Sequence, residues 1–364
     1  FKAHFDDATK ELEDILKKVA QHHKVGLPFV LYSLPNSTDV NIVMQKNNVL
    51  YDTELYADEC FVFAPFDYHE KAVCIPLGKS EHFETEFSLN TIDKNEIIIN
   101  ENLQTKENYC EQVKGAISVI KSGNASKIVL SRKKEIDLKQ FDISILIKRV
   151  LNLYPTAFRY AWYHPLTGLW CGASPEVLLQ TEGVSFTTMA LAGTQRIKKD
   201  KNPHWNFKEL NEQKIVVDAI STSLQKVTSV VRISKTYNYQ AASLVHLRTD
   251  ITGILKKGKR NLSMITSVLH PTPAVCGTPQ NYAKNYILDN EDYNREFYTG
   301  FLGPICEKKS SSKLFVNLRC MKIDANVANL FVGGGIIIDS EPESEWEETQ
   351  HKLQTMLQVI YPML

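Results

Sequence analysis

The chain has 364 residues, 43% of them hydrophobic and 23% charged, an ordinary globular composition with enough apolar material for a large core. Forty-two basic residues balance forty-two acidic ones, so nothing in the overall charge calls for nucleic acid or an anionic membrane, and any charged chemistry has to be local. Seven cysteines (60, 74, 110, 171, 276, 306, 320) are odd in number and never spaced CxxC, which argues against a disulfide framework or a zinc site and for a reducing compartment.

No run of about 18 apolar residues occurs, so no membrane span is expected, and a cytoplasmic protein is the default expectation. The chain begins with Phe1 rather than Met, which leaves the native N-terminus and a removed targeting segment open. Length alone is compatible with one or two domains.

"FDDATKELEDILKKVAQHH" (5–23) places Leu12, Ile15, Leu16 and Val19 at helical spacing. From 28 to 100 the chain reads as short strands, "FVLYSL", "NNVLYD", "CFVFAPF", "AVCIPL" and "EIIIN", parted by turn residues such as "PNST". This first part offers scaffold and no nameable chemistry. A helix near 107–122, closed by Gly123 and Asn124, leads into "SKIVLSR" (126–132), where Lys127 stands at the mouth of a buried apolar strand. "DISILIKRVLNLYP" (142–155) is an amphipathic helix stopped before Pro155. Strands "FRYAWYH", "GLWCGA", "VLLQTEG" and "SFTTMALAG" follow, then the helix "FKELNEQKIVVDAISTSLQKV". The last third mixes strands "KLFVNLRCMKI" and "NLFVGGGIII" with a C-terminal helix, "SEWEETQHKLQTMLQVI". Strands outnumber helices and do not alternate with them, so the expected class is α+β with large, mostly antiparallel sheets.

Candidate chemistry starts with carboxylates. Glu209 and Glu212 lie three apart on one predicted helix, and Glu345 and Glu348 repeat that spacing on the last one, with Lys352 a turn beyond Glu348. Taken alone such pairs are ordinary solvated helix faces; two pairs meeting in space would suit Mg²⁺, a hard cation that prefers carboxylate oxygen. Glu176, after Pro175 at the entry of an apolar strand, would be driven toward its neutral acid form by burial, while burial of Lys127 would favour the neutral amine. Both also read as ordinary strand-end residues. "LAGTQR" and "FVGGGIII" set glycines beside strands, where a ligand can approach the backbone, but neither is a P-loop or GxGxxG. "HPTPAVCGTP" (270–279) is a rigid proline loop, His246 sits on an apolar stretch, Arg319 points from a strand and needs an anion, and Cys276 has no neighbour that marks a nucleophile.

These fragments in this order resemble the chorismate-utilising enzymes, and within them the isochorismate synthases. The resemblance covers roughly 110–360: "KIVLSR", "GASPEVLL", "LAGT", "HLRTDI", "HPTPAVCGTP", "REFYTGFLGPI", "LFVNLR" and "GGGIIIDSEPESEWEET". It implies a single chorismate-binding domain over 1–364, with 1–110 a variable part of the scaffold and 111–360 the motif-bearing catalytic part. It also implies antiparallel sheets packed with helices around a buried Mg²⁺ site, where a nucleophile adds at ring C2 as the C4 hydroxyl leaves. By that resemblance Lys127 is the general base that activates water and Glu176 the general acid that protonates the departing hydroxyl. Glu212 and Glu348 are the principal Mg²⁺ carboxylates, with Glu209 and Glu345 beside them. Gly193 and Thr194 approach the ring carboxylate and His246 and Ala274 line the ring. Tyr298, Arg319 and the Gly333 backbone hold the enolpyruvyl carboxylate, and Lys352 lies near the metal end.

Lysine at 127 suits water as nucleophile, whereas ammonia-using members usually carry glutamine there; Ala192 replaces the lysine often found in aminodeoxychorismate synthases. The resemblance therefore implies an isomerase that makes isochorismate, for menaquinone or a siderophore, as a cytoplasmic monomer with chorismate as its partner. A salicylate synthase is the alternative reading, since it shares Lys127, Glu176 and the four glutamates; Ala274 beside Val275 favours isochorismate alone. A non-catalytic chorismate-binding subunit would be expected to have lost one of these groups. Two positions depart from the family pattern: Gln213 where His or Asn is common, and Val332 where a small Ala is usual.

Overall fold

The computed structural model describes residues 2–52, 59–94, 96–196, 203–241, 243–256, 262–309 and 311–364. β-Branched and aromatic runs pair into two large sheets, and every pairing among the described residues is antiparallel. One sheet runs, edge to edge, Gly277–Thr278, Lys127–Asp137, Val327–Ile336, Cys320–Asp324, Gly168–Ser174, Phe158–His164, Phe29–Ser33, Asp39–Gln45, Ser80–Glu86. The other runs Thr228–Ile233, Leu244–Leu255, Ser185–Arg196, Val177–Glu182, Ser311–Val316, Phe301–Cys306, Cys60–Ala64, Val73–Pro76, Tyr51–Asp52, with Tyr237–Ala241 added beside Leu244–Leu255. The class is α+β, as the strand-rich, non-alternating sequence implies.

The sheets lie face to face over an aromatic layer that includes Phe61, Phe63, Phe158, Trp162, Trp170 and Phe315. Alternation along each strand sorts the two faces: Val30 enters this layer, whereas Phe29 and Leu31 face the opposite side. There they meet the helices Lys2–Lys24, Ile143–Leu153 and Pro342–Ile360 through Leu12, Leu16, Leu146, Val150, Leu353 and Leu357. The helices Phe207–Leu224 and Leu262–Leu269 cover the outer face of the other sheet with Val216, Ile220 and Ile265. Leu103–Lys121 and Gln280–Asn290 close over the Lys127 strand.

Several segments differ from the sequence reading. Ser80–Glu86 is a strand despite its polar residues because it is the exposed edge of a sheet, and Asp39–Gln45, mostly buried, pairs between it and Phe29–Ser33. Of "NNVLYD" only Tyr51–Asp52 pairs. "EIIIN" is irregular: Ile98 is 91% exposed, and the Ile97 backbone is held instead by the Gln354 side chain, at 3.0 and 2.8 Å. "KLFVNLRCMKI" is two strands, Ser311–Val316 and Cys320–Asp324, in different sheets. The chain breaks between them at Arg319, whose φ is 48°, and at Asn317, which accepts from Tyr160 Oη at 2.6 Å. Arg319 therefore sits on a crossover between sheets and not on a strand.

Candidate active site

The Lys127 strand pairs along its length with Val327–Ile336, setting Val129, Leu130 and Ser131 opposite Gly335, Gly334 and Gly333. Those glycines leave a floor that side chains cross at close range. A Cβ on Gly334 would lie 3.2 Å from Glu345 Oε2 and 3.5 Å from Glu348 Oε1, and one on Gly335 would collide with Glu212 Oε1 and come within 2.6 Å of Lys127 Cε. Three helical or strand elements thus aim carboxylates and an amine at two consecutive glycines, which explains why no larger residue stands there.

Each glutamate is matched by its own lysine. Lys127 Nζ is 3.0 Å from Glu212 Oε1, Lys208 Nζ is 2.9 Å from Glu345 Oε1, and Lys352 Nζ is 2.7 Å from Glu348 Oε1. Lys352 also donates to Gly333 O at 2.7 Å. Lys127 and Glu345 are each 1% exposed and Glu212 is 6% exposed, so leaving any of these charges unpaired would be costly. Burial raises Glu345, opposed by Lys208 and aided by Glu348. Burial also opposes ionisation of Glu348, but Lys352 and then Lys208 outweigh it and hold its carboxyl below the usual range.

Glu176 behaves differently. It is buried, its Oε1 has no hydrogen-bond partner among the described protein groups, and desolvation lifts its pKa to about 8 against the pull of Lys127 and Lys352. It is an acid held neutral at pH 7. His246 is also neutral, lowered to about 3 chiefly by burial and then by Arg319. Its Nδ1 bonds Gly193 O at 2.9 Å and so carries the proton, which leaves Nε2 to accept from Arg319 Nη2 at 3.0 Å. Arg319 is further held by Thr355 Oγ1 at 3.2 Å, and Tyr298 stacks on Phe331.

One inner chamber of about 70 Å³ is lined by Glu176, Gly193, Thr194, Glu212, His246, Ala274, Tyr298, Arg319, Gly333, Glu348 and Lys352. Lys127 reaches it through Glu212. Most of the residues singled out from widely separated stretches of sequence thus share one chamber, all but Lys127, Glu209 and Glu345, and a bulge after Ala192 in the Ser185–Arg196 strand is what turns Gly193 and Thr194 into it. The chamber is narrower than the ~300 Å³ or more of typical ligand sites, with Lys352 and the Lys127–Glu212 pair laid across its glycine floor. It opens on an outer cleft of about 1020 Å³ in which Lys208, Glu209, Glu341, Glu343, Glu345 and Glu347 stand and which Thr194 and Glu348 share with the chamber.

Glu209 and Glu345 are placed in that cleft and not in the chamber. Glu209 closes a capping box, accepting from Asn206 N at 3.2 Å. Gln213, in the departing position, donates to Ala190 O at 3.1 Å and Thr249 Oγ1 at 3.0 Å, fastening the Glu212 helix to the sheet. Val332 lines the chamber wall. Lys208 was not singled out from the sequence; its signal is the i,i+4 spacing to Glu212 on the Phe207–Leu224 helix, which puts both on one face. Glu212, Glu345 and Glu348 offer hard oxygen donors around one glycine floor, a donor set that fits a hard divalent cation. As the side chains stand, no three His, Cys, Asp or Glu among the described residues are grouped to enclose a metal, although both Glu345 oxygens are buried without a hydrogen bond, as a carboxylate awaiting a cation would be.

A family model described as chorismate binding enzyme matches residues 60–361. The isochorismate synthase EntC of Escherichia coli strain K12 is 29% identical over 294 residues, 78% of this chain and 73% of the relative. The isochorismate synthase MenF of Bacillus subtilis strain 168 is 31% identical over 270 residues, 70% of this chain and 56% of the relative. The solved structure of MenF, the menaquinone-specific isochorismate synthase from Escherichia coli, aligns with a TM-score of 0.74 at 20% identity, covering 92% of this chain and 88% of that one.

Proposed function

The chain belongs to the chorismate-binding enzyme family, and from that premise we propose that it is an isochorismate synthase, converting chorismate to isochorismate. The observation that carries this reading is one chamber lined by a neutral carboxylic acid, Glu176, and by Glu212, whose oxygen meets the buried Lys127 at 3.0 Å.

In the proposed reaction a water oxygen bonds to ring C2, the double bond shifts, and the C4–oxygen bond breaks. Lys127 takes the water's proton. Glu176 gives its proton to the departing hydroxyl, which leaves as water, so one water is added and one released. Arg319, fixed by His246 and Thr355, is suited to fork onto a substrate carboxylate. Tyr298 and the Gly333 backbone lie in the same chamber wall. The neutral His246 serves as an acceptor that orients Arg319, not as an acid. Ala274 leaves room along the ring, and Gly193 and Thr194 face the ring carboxylate.

Mg²⁺ is the proposed cofactor. Glu212 and Glu348 would hold it, with Glu345 and Glu209 beside them, and it would supply positive charge to position and neutralise the substrate carboxylate. We assign the protein to the cytoplasm as a monomer; no helix among the described residues is long and apolar enough to cross a membrane. Relatives of both the EntC and MenF kinds match, so the fate of the product, quinone or siderophore, rests with neighbouring enzymes.

Product analysis tests the reading. Chorismate with Mg²⁺ should give isochorismate alone by chromatography, and EDTA should abolish it. Salicylate with equal pyruvate would instead assign a salicylate synthase, and no conversion would leave a binding subunit.

A further inference from the structure

We propose that Lys208 is a resident counter-cation of the glutamate cluster, which a divalent metal has to displace from Glu345 before it can settle between the carboxylates. This rests on reading those glutamates as the metal site.

Lys208 and Lys352 are the two lysines whose fields reach Glu348, and Lys208 alone of the three paired lysines lies in the outer cleft. Lys127 is buried in the strand and given to Glu212, and Lys352 is pinned twice, to Glu348 and to Gly333 O. Lys208 contacts Glu345, a carboxylate with 1% exposure, and feels Glu345, Glu348 and Glu212 together, which outweighs the burial of its own ammonium and strengthens its hold on its proton. A fixed positive charge 2.9 Å from the Glu345 oxygen competes with a metal for that oxygen and repels it from the neighbouring ones.

The lysine also has somewhere to go. Its side chain is 19% exposed and stands where the chamber meets the cleft, whose wall carries Glu341, Glu343 and Glu347. A four-carbon stem with free rotation can transfer its ammonium from Glu345 to that acidic wall as the metal arrives. The ammonium beside Glu345 occupies the side from which a metal would approach, and it makes the metal-free cluster a weak metal binder.

The test is Mn²⁺ binding, a paramagnetic stand-in for Mg²⁺ whose free ion is read directly by electron paramagnetic resonance, with no turnover involved. Substrate-free wild type, Lys208→Met and Lys208→Arg are titrated, with Glu348→Gln defining binding outside the cluster and Lys208→Gln as a second neutral variant should methionine impair folding. Removing the charge should tighten cluster-specific binding at least tenfold, while Lys208→Arg stays within about twofold of wild type. Neutral variants that bind no tighter overturn the proposal, as does an arginine variant that tightens equally. The same titration of wild type with chorismate separates the premise: cluster-specific uptake there, without a gain in the neutral variants, overturns the role of Lys208 alone. No uptake with chorismate overturns the metal reading and this proposal with it.

Discussion

Glu176 carries a cost that its position in the fold does not repay through contacts. Its folded pKa is raised from 4.5 to about 8, mainly by burial. The folded protein therefore keeps a proton that the unfolded chain releases, and stability falls as pH rises from about 4.5 to about 8, then levels off. Glutamine, neutral at every pH and nearly isosteric, removes that slope. Glu176→Gln should be more stable than wild type at pH 7 by on the order of 3 kcal/mol, checked by urea unfolding at pH 5 and pH 8. Turnover should be lost while chorismate still binds. In the wild type, kcat/KM should fall above about pH 8 as the acid loses its proton. A variant with the same pH slope as wild type would show that another group sets it, and lost binding would recast Glu176 as a substrate holder.

The strand Val327–Ile336 is where an element, more than any single side chain, makes the site possible. Its glycines bring backbone to within reach of Glu212, Glu345, Glu348 and Lys127. At Gly335 an added methyl meets the ends of the buried Glu212 and Lys127 side chains and not backbone, so Gly335→Ala should fold with a loss of about 1–3 kcal/mol and lose at least tenfold in kcat/KM. Unfolding midpoint and steady-state rates on one preparation separate the two effects; unchanged rates would mean the floor is not part of the site. Much of this element level was legible in the sequence, because buried strands and amphipathic helices follow period: "KIVLSR", "DISILIKRVLNL" and the last helix all formed as read. The failures share a cause. Ser80–Glu86 is an edge strand and Asp39–Gln45 its inner neighbour, and their polar residues hide the pairing; "EIIIN" has strand composition but is taken up by a side chain of the last helix. The strand break at Arg319 and the contact of Lys208 with Glu345 on another helix depend on what packs opposite, which no local pattern states.

At the scale of the molecule, the first 110 residues are woven into the rest. Phe29–Ser33 joins the nine-stranded sheet by pairing with Phe158–His164, and Cys60–Ala64 joins the other by pairing with Phe301–Cys306. The aromatic layer between the sheets mixes Val30, Phe61 and Phe63 with Trp162, Trp170, Phe297 and Phe315. The stacked rings of Phe63 and Phe297, 4.2 Å apart, join parts more than two hundred residues distant in sequence. Neither part can open without exposing large aromatic surface from the other, so we propose that residues 1–364 fold as one unit and not as a scaffold domain plus a catalytic domain. Unfolding in guanidinium should then be a single transition, with tryptophan fluorescence, to which Trp162 and Trp170 of the aromatic layer contribute, coinciding with far-ultraviolet dichroism, which reports all elements. Two separated transitions would mean that the N-terminal strands detach on their own, and the site would then be carried by a part able to stand without them.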